Sequence, residues 1–143
     1  MRRTLILTCT ILLIFTGCAA KRLDDLQRRS KNYNRSLRWS SVSTAATYFH
    51  PDHKMKLLQQ IGDRFHNERI VDFNVIDASM QPEGSDDAAV IVQFTYYMVE
   101  DQNLRRRQEL QNWSYNPIVK NWYLIKTKAL NSTKPGEGPV FER

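Results

Sequence analysis

Cysteine is scarce in this chain: two in 143 residues, Cys9 and Cys18, with none beyond. Disulfides therefore cannot staple the stretch after Cys18, and its stability has to come from packing. Histidine is nearly as scarce, with only His50, His53 and His66. His50 and His53 are three apart, but Pro51 lies between them, and neither a cysteine nor an obvious carboxylate completes a zinc ligand set. No metal or other cofactor is expected. The sequence also lacks a phosphate loop, a nucleophile beside a base, an internal repeat and a low-complexity block. Its one long apolar run, Leu5 to Phe15, is broken by Thr8, Cys9 and Thr10. It falls short of the roughly 20 residues that a membrane-spanning helix needs.

What is present begins with an address. Arg2 and Arg3 precede the short apolar run, and the small residues Thr16, Gly17, Cys18, Ala19 and Ala20 follow it. A charged start, an apolar core and a small-residue exit form the secretory signal layout. Phe15-Thr16-Gly17-Cys18 resembles a bacterial lipobox: Gly17 and Cys18 match, Thr16 is tolerated, and Phe15 stands where leucine is usual. The resemblance implies that residues 1–17 are a removed signal peptide, that Cys18 carries lipid, and that 18–22 are a short tether. Several acyl chains on one terminus anchor firmly, where one chain holds only marginally. In Gram-negative lipoproteins an Asp after the cysteine favours retention at the inner membrane. Ala19 stands there instead, which implies the periplasmic face of the outer membrane. The competing readings are cleavage after Ala20, giving a soluble secreted protein, and an uncleaved anchor.

The formal net charge is +6 and the isoelectric point near 9.5. In a cytosolic protein that would raise nucleic acid as a partner. Export removes most of that expectation, so no nucleic acid is expected. Anionic lipid or an acidic envelope protein remain as partners for a basic surface around Arg28, Arg35, Arg105 and Arg107. Along Arg105-Arg106-Arg107 a strand would send Arg105 and Arg107 one way and Arg106 the other.

Residues 23–127 read as a single domain. Leu23, Leu26, Ser30, Tyr33 and Leu37 recur at helical steps, with Arg28, Arg29, Lys31, Arg35 and Arg38 on a solvated face. A short helix is expected over Thr44–Phe49, ended by Pro51, and another over His53–His66 with the stripe Met55, Leu58, Ile61, Gly62 and Phe65. The period then changes to two. Ile70–Met80 is the first strand, with Val71, Phe73 and Val75 opposite Ile70, Asp72, Asn74 and Ile76. Ala88–Val99 is the second, with Val90, Val92, Phe94, Tyr96 and Met98 on one face. Leu104–Tyr115 is the return strand and Asn121–Thr127 the last. A two-residue turn at Asp101-Gln102 would pair Val90 with Trp113 and Phe94 with Glu109, and a one-residue change would exchange the faces. Either way Gln111 and Trp113 share a side. Residues 128–143 are expected to be a disordered tail.

Helices followed by an antiparallel sheet give an α+β class, and this order resembles the cone-shaped fold of the nuclear-transport-factor-2-like superfamily. Leu37-Arg38-Trp39, Ala45-Ala46, Pro51, Gln111-x-Trp113 and Trp122-Tyr123-Leu124 resemble small bacterial lipoproteins of the nuclear-transport-factor-2-like superfamily, over roughly Tyr33 to Thr127. The strand pair that the family usually carries between its helices is not visible here. The resemblance implies a fold shared by enzymes and binding modules, so it settles no function. Tyr33, Trp39, Tyr96, Trp113 and Trp122 are the aromatic residues expected to fill the cone or to line a pocket in it. The expected function is a non-enzymatic binding or accessory module of the cell envelope. The alternative is an apolar-ligand or isomerase-like protein, with Asp72 or Asp77 as base and Tyr33, Tyr48 or Tyr96 as donor. A face-to-face homodimer stays open.

Overall fold

The computed structural model describes residues 2–132, with side chains from 18 to 130. Helix α1 runs from Arg2 to Arg38. The inward stripe expected from the periodicity is present: Leu26, Ser30, Tyr33 and Leu37 are each fully buried. The helix stops where Ser40 adopts φ 53°. Ser41 N donates to Ser36 O at 2.9 Å and Ser40 N to Leu37 O at 3.0 Å, which is the Schellman pattern of a helix C-terminus. Arg35 and Arg38 in the last turn complement its carbonyl end.

The expected tether at 18–22 is corrected: it is part of α1. Ala19, Ala20, Lys21 and Arg22 are good helix formers with no breaker among them. The solvated face is corrected at one position. Arg29 is half-buried, with its Nε donating to the Trp122 carbonyl and its guanidinium 4.8 Å from the Tyr48 ring centroid. Burial lowers its pKa from the usual arginine value.

Helix α2 spans Val42–Ala46 and stops earlier than expected, before a 3₁₀ turn at Pro51–His53. Pro51 sits in the first turn, and His50 Nδ1 accepts from Asp52 N at 3.3 Å. Helix α3 spans Lys54–Asn67. Its buried stripe is Leu57, Ile61 and Phe65, with Leu58 alongside. Met55, expected in the stripe, is 79% exposed. It lies in the first turn, where the chain is still arriving from the 3₁₀ turn.

Four strands follow as an antiparallel meander in the order β1-β2-β3-β4. They are β1 Glu68–Met80, β2 Asp87–Met98, β3 Leu104–Asn116 and β4 Asn121–Ser132. The expected tail is corrected at 128–132, which belong to β4; residues 133–143 lie outside the described residues. Strand β1 departs from simple alternation. Its pairing with β2 shifts between Ile70 and Asp72 and again between Val75 and Asp77. Each shift inserts one residue, Val71 or Ile76, and turns it outward; the two are 39% and 48% exposed. Ile70, Phe73, Val75, Ala78 and Met80 therefore all join the core, a set that no strict period of two selects. Bulges also increase local twist, which wraps the sheet around α1.

The register of β2 on β3 sets Val90 opposite Gln111 and Phe94 opposite Arg107. This is two residues from the pairing that a two-residue turn would produce. The connection from Val99 to Asn103 is longer, with Asp101 Oδ1 accepting from Asn103 N at 3.0 Å. A shift of two preserves the faces, so Gln111 and Trp113 both point inward and are fully buried. The free edge of β4 is met by a single parallel bridge, Phe49 to Leu124, flanked by His50 N to Leu124 O at 2.9 Å and Leu124 N to Tyr48 O at 2.8 Å. No helix among the described residues is long and apolar enough to cross a membrane.

Candidate functional site

The concave face of the sheet, covered by α1 and α3, is where the fold gathers its chemistry. Strand β2 contributes Ala88, Val90, Val92, Phe94 and Tyr96, an apolar row as its alternation predicts. Strand β3 contributes a polar one: Arg107, Glu109 and Gln111 precede Trp113 on the same face, with Glu109 and Gln111 fully buried. These groups settle into two clusters.

The first is neutral. Gln111 Nε2 donates to Asn34 Oδ1 at 2.7 Å. Asn34 Nδ2 lies 3.3 Å from Gln111 Oε1 and 2.9 Å from the Ser30 carbonyl. Ser30 Oγ adds a 3.3 Å bond to Gln111 Oε1. The reciprocal amide pair ties α1 to β3 through buried groups that would otherwise lose their water at a cost.

The second is charged. Arg64 Nη2 lies 2.7 Å from Glu109 Oε2, and Arg64 Nε lies 3.4 Å from Glu68 Oε1. Glu68 is held in turn by Arg107 in a two-pronged pair, at 2.5 and 2.6 Å. The Arg107 guanidinium stands 4.4 Å from the Tyr96 ring centroid and 5.5 Å from that of Phe94. Burial works against the charge on Arg64, but Glu109, Tyr33 and Glu68 outweigh it, and its pKa lies above the usual arginine value.

Tyr33 lies beside this cluster. Its ring meets Trp113 edge-on at 5.9 Å and Phe49 at 6.0 Å. Burial first, and the Glu109 carboxylate second, push its phenol far above the ordinary tyrosine range, so it stays protonated. Among the described residues, Tyr33 Oη, Glu109 Oε1, Arg64 Nη1 and Trp113 Nε1 find no hydrogen-bond partner. The interior thus combines a neutral phenol donor with a carboxylate carrying an unused oxygen.

The residues anticipated for the cone divide. Tyr33, Trp113 and Trp122 are fully buried and Tyr96 is 7% exposed. All four belong to one hydrophobic core, in which Tyr33 meets Trp113 directly. Trp39 does not belong with them: it is 72% exposed, because α1 has already ended and the Ser40 turn swings it outward. It borders an open groove of about 650 Å³ with Lys31, Arg35, Arg38 and Asp72. The expected bases are outside the cone as well. Asp72 and Asp77 are exposed beside the two β1 bulges, and Asp72 lies 3.8 Å from Arg38. Tyr48 is half-buried at the cone edge, against Tyr33.

Of the four arginines expected on a basic surface, Arg28 and Arg35 are exposed. Arg28 pairs with Asp25 at 2.5 Å. Arg105 is partly covered and paired with Asp101. Arg107 is corrected: it is 9% exposed and committed to Glu68, so it cannot serve a surface contact. Cys18 is an exposed free thiol on α1, with Ala19 half-buried beside it.

Arg64, Glu68, Glu109, Ser30 and Asn34 were not singled out from the sequence as site residues. The available signal was the parity of β3: any residue an even number of steps from Trp113 shares its face, which places Glu109 inside with it.

A search of solved structures places this geometry among known folds. A ketosteroid isomerase-like protein from Erwinia carotovora atroseptica superposes with a TM-score of 0.62 at 11% identity, covering 75% of this chain and 93% of that one. The fold is nuclear-transport-factor-2-like. No protein-family model matches the chain, and no curated protein matches it. At this identity the likeness describes the scaffold, and activity must be argued from the side chains.

Proposed function

We propose that the chain is a lipoprotein of the bacterial envelope, anchored through Cys18 on the periplasmic face of the outer membrane, whose domain acts as a non-enzymatic binding or accessory module. The observation that carries the non-enzymatic part is the filled cone. Tyr33, Phe94, Trp113, Trp122 and Leu124 are fully buried in one core, and Arg64 holds the interior carboxylate of Glu109. A base occupied by an arginine inside packed side chains is poorly placed to meet a substrate. The anchor rests on Thr16-Gly17-Cys18-Ala19 and on the exposure of the Cys18 thiol.

Cys18→Ser should release the protein from membranes, and the native protein should carry lipid mass on Cys18. An unmodified terminus at Ala19 or Lys21 in intact mass spectrometry would overturn the anchor.

One observation favours the second reading, an isomerase-like or apolar-ligand protein. Tyr33 Oη and Glu109 Oε1 are buried and unpartnered near the same arginine. A neutral phenol and a carboxylate are the acid and base of enolisation. Turnover of an unsaturated cyclic ketone by the full chain, abolished in Glu109→Gln and Tyr33→Phe, would favour that reading over the binding module.

A further inference from the structure

We propose that the end of the domain bearing Cys18 is a bilayer-contact surface, in which the β3–β4 hairpin tip at Ile118 and Val119 enters the lipid beside the anchor. The inference rests on the reading that the chain is membrane-anchored at this end. Its own warrant is the arrangement of three elements.

Helix α1 is fixed to the sheet by Arg22. The Arg22 guanidinium bonds the Gly84 and Ser85 carbonyls at 3.2 and 2.9 Å and pairs with Asp86 at 2.6 Å. It also stacks 4.1 Å from the Tyr115 ring centroid, while the Arg22 carbonyl accepts from Trp122 Nε1 at 3.0 Å. At about 1.5 Å per residue, Cys18 lies only about 6 Å of helix beyond this clamp. No slack separates Cys18 from the domain, so the anchor sets which end of the domain meets the membrane.

That end holds the Gln81–Asp86 connection and the turn at Pro117–Lys120, since β1 and β3 finish there and β2 and β4 begin there. Ile118 is 88% exposed and Val119 56%. An aliphatic pair projecting from a hairpin tip has no packing role in the domain. Its backbone is prepared for a dry environment: Asn116 Oδ1 accepts from both Ile118 N and Val119 N, at 2.9 and 3.3 Å. Unpaired amides would resist leaving water, and these two are already satisfied. Nearby, Ala19, Ala20, Leu23, Ala78 and Met80 line an open apolar hollow of about 670 Å³. The charges at this end offset one another, with Lys21 and Lys120 against Glu83 and Asp87, and Arg22 against Asp86. The contact is therefore apolar insertion rather than attraction to anionic headgroups.

The test uses the full chain in phosphatidylethanolamine–phosphatidylcholine vesicles. An environment-sensitive fluorophore is attached in Ile118→Cys, with its position verified by mass. The control carries it in Leu104→Cys, 65% exposed at the opposite end of the sheet. The Ile118 probe should shift to the blue and lose intensity when the vesicles contain brominated lipids. The Leu104 probe should do neither. Adding phosphatidylglycerol should leave both unchanged. Equal behaviour of the two probes would overturn the proposal. So would a blue shift at Ile118 without quenching by brominated lipid, which would mean a protein partner or a second copy covers the tip. The mass of the N-terminal fragment reports the anchor separately. A lipidated Cys18 with an unquenched tip removes this surface alone, and a quenched tip with a bare Cys18 removes only the lipoprotein reading.

Discussion

Arg64 on α3 and Glu109 on β3 form an ion pair at 2.7 Å in which the carboxylate is fully buried. The pair joins the helical layer to the centre of the sheet, and Glu68 and Arg107 extend it to the strand beyond β2. A buried ion pair contributes little net stability against an apolar replacement, because desolvation offsets attraction. Breaking one partner is another matter. Arg64→Met should cost about 3 kcal/mol, the lower end for a broken buried pair, since it leaves Glu109 buried with only Arg107 Nε, 4.0 Å away, as a cation. Adding Glu109→Gln should restore a substantial part of that loss. Chemical denaturation of the two single variants and the double variant checks this. Additive losses would show that the two side chains do not depend on each other.

Tyr33 yields a prediction about pH. Its phenol has no partner among the described residues and its pKa is raised by burial, then by Glu109. A raised folded pKa means that the neutral form is favoured in the folded state. The associated stability is complete below the unfolded value of about 10 and is lost as pH rises from there toward the folded value. Stability should therefore fall above about pH 10, and Tyr33→Phe should lessen that slope by up to about 1.4 kcal/mol per pH unit. At neutral pH the same variant should be neutral or stabilising by about 1 kcal/mol, because it removes a buried hydroxyl without a partner. A clear loss at pH 7 would mean that the hydroxyl is bonded.

How much of this was legible in the sequence depended on whether local pattern or distant partners decided the outcome. The stripe Leu26, Ser30, Tyr33 and Leu37 and the alternation from Val90 to Tyr96 are local, and the burial follows them. The β1 bulges are not local. Val71 and Ile76 turn outward because of pairing with β2, which the hydrophobicity of β1 alone does not encode. Helical spacing puts Met55 in the apolar stripe and aromatic character puts Trp39 in the cone or its pocket, yet each sits where a helix begins or has just ended, and the chain geometry carries it outward. The candidate site was the least legible. Charged residues on a strand read as solvated, and Glu109 enters the core only because Arg64, from a helix 45 positions earlier, meets it there.

Trp122 tests the joint between α1 and the sheet. It is fully buried, packs 5.1 Å from the Tyr115 ring, and bonds the Arg22 carbonyl through its indole. Trp122→Ala should cost about 3–5 kcal/mol, the range for a large core aromatic. Trp122→Phe keeps much of the packing and loses the indole donor, so it should cost less. In hydrogen exchange it should loosen the helix around Arg22 before the rest of the domain. A loss below about 1 kcal/mol for Trp122→Ala would contradict the closed cone.

The four arginines that the sequence suggests for a basic surface should separate in experiment. Arg28 and Arg35 are exposed, and surface substitutions of this kind usually change stability by no more than about 0.5 kcal/mol. Arg28→Ser and Arg35→Ser should therefore leave the fold intact while weakening any contact with anionic partners, and that weakening should vanish at high salt. Arg105→Ser should be mild as well, since its partner Asp101 already accepts a backbone bond from Asn103. Arg107 should behave differently. Its removal takes two bonds from Glu68, 6% exposed, and leaves it only the 3.4 Å contact to Arg64, so Arg107→Ser should cost about 3 kcal/mol. Crosslinking in intact envelopes reads the contacts, and thermal unfolding reads the fold. If Arg107→Ser unfolds at the temperature of the parent protein while losing envelope crosslinks, Arg107 faces a partner after all. If only Arg28→Ser or Arg35→Ser loses them, the basic contact lies along α1, and the interior arginines hold the cone together.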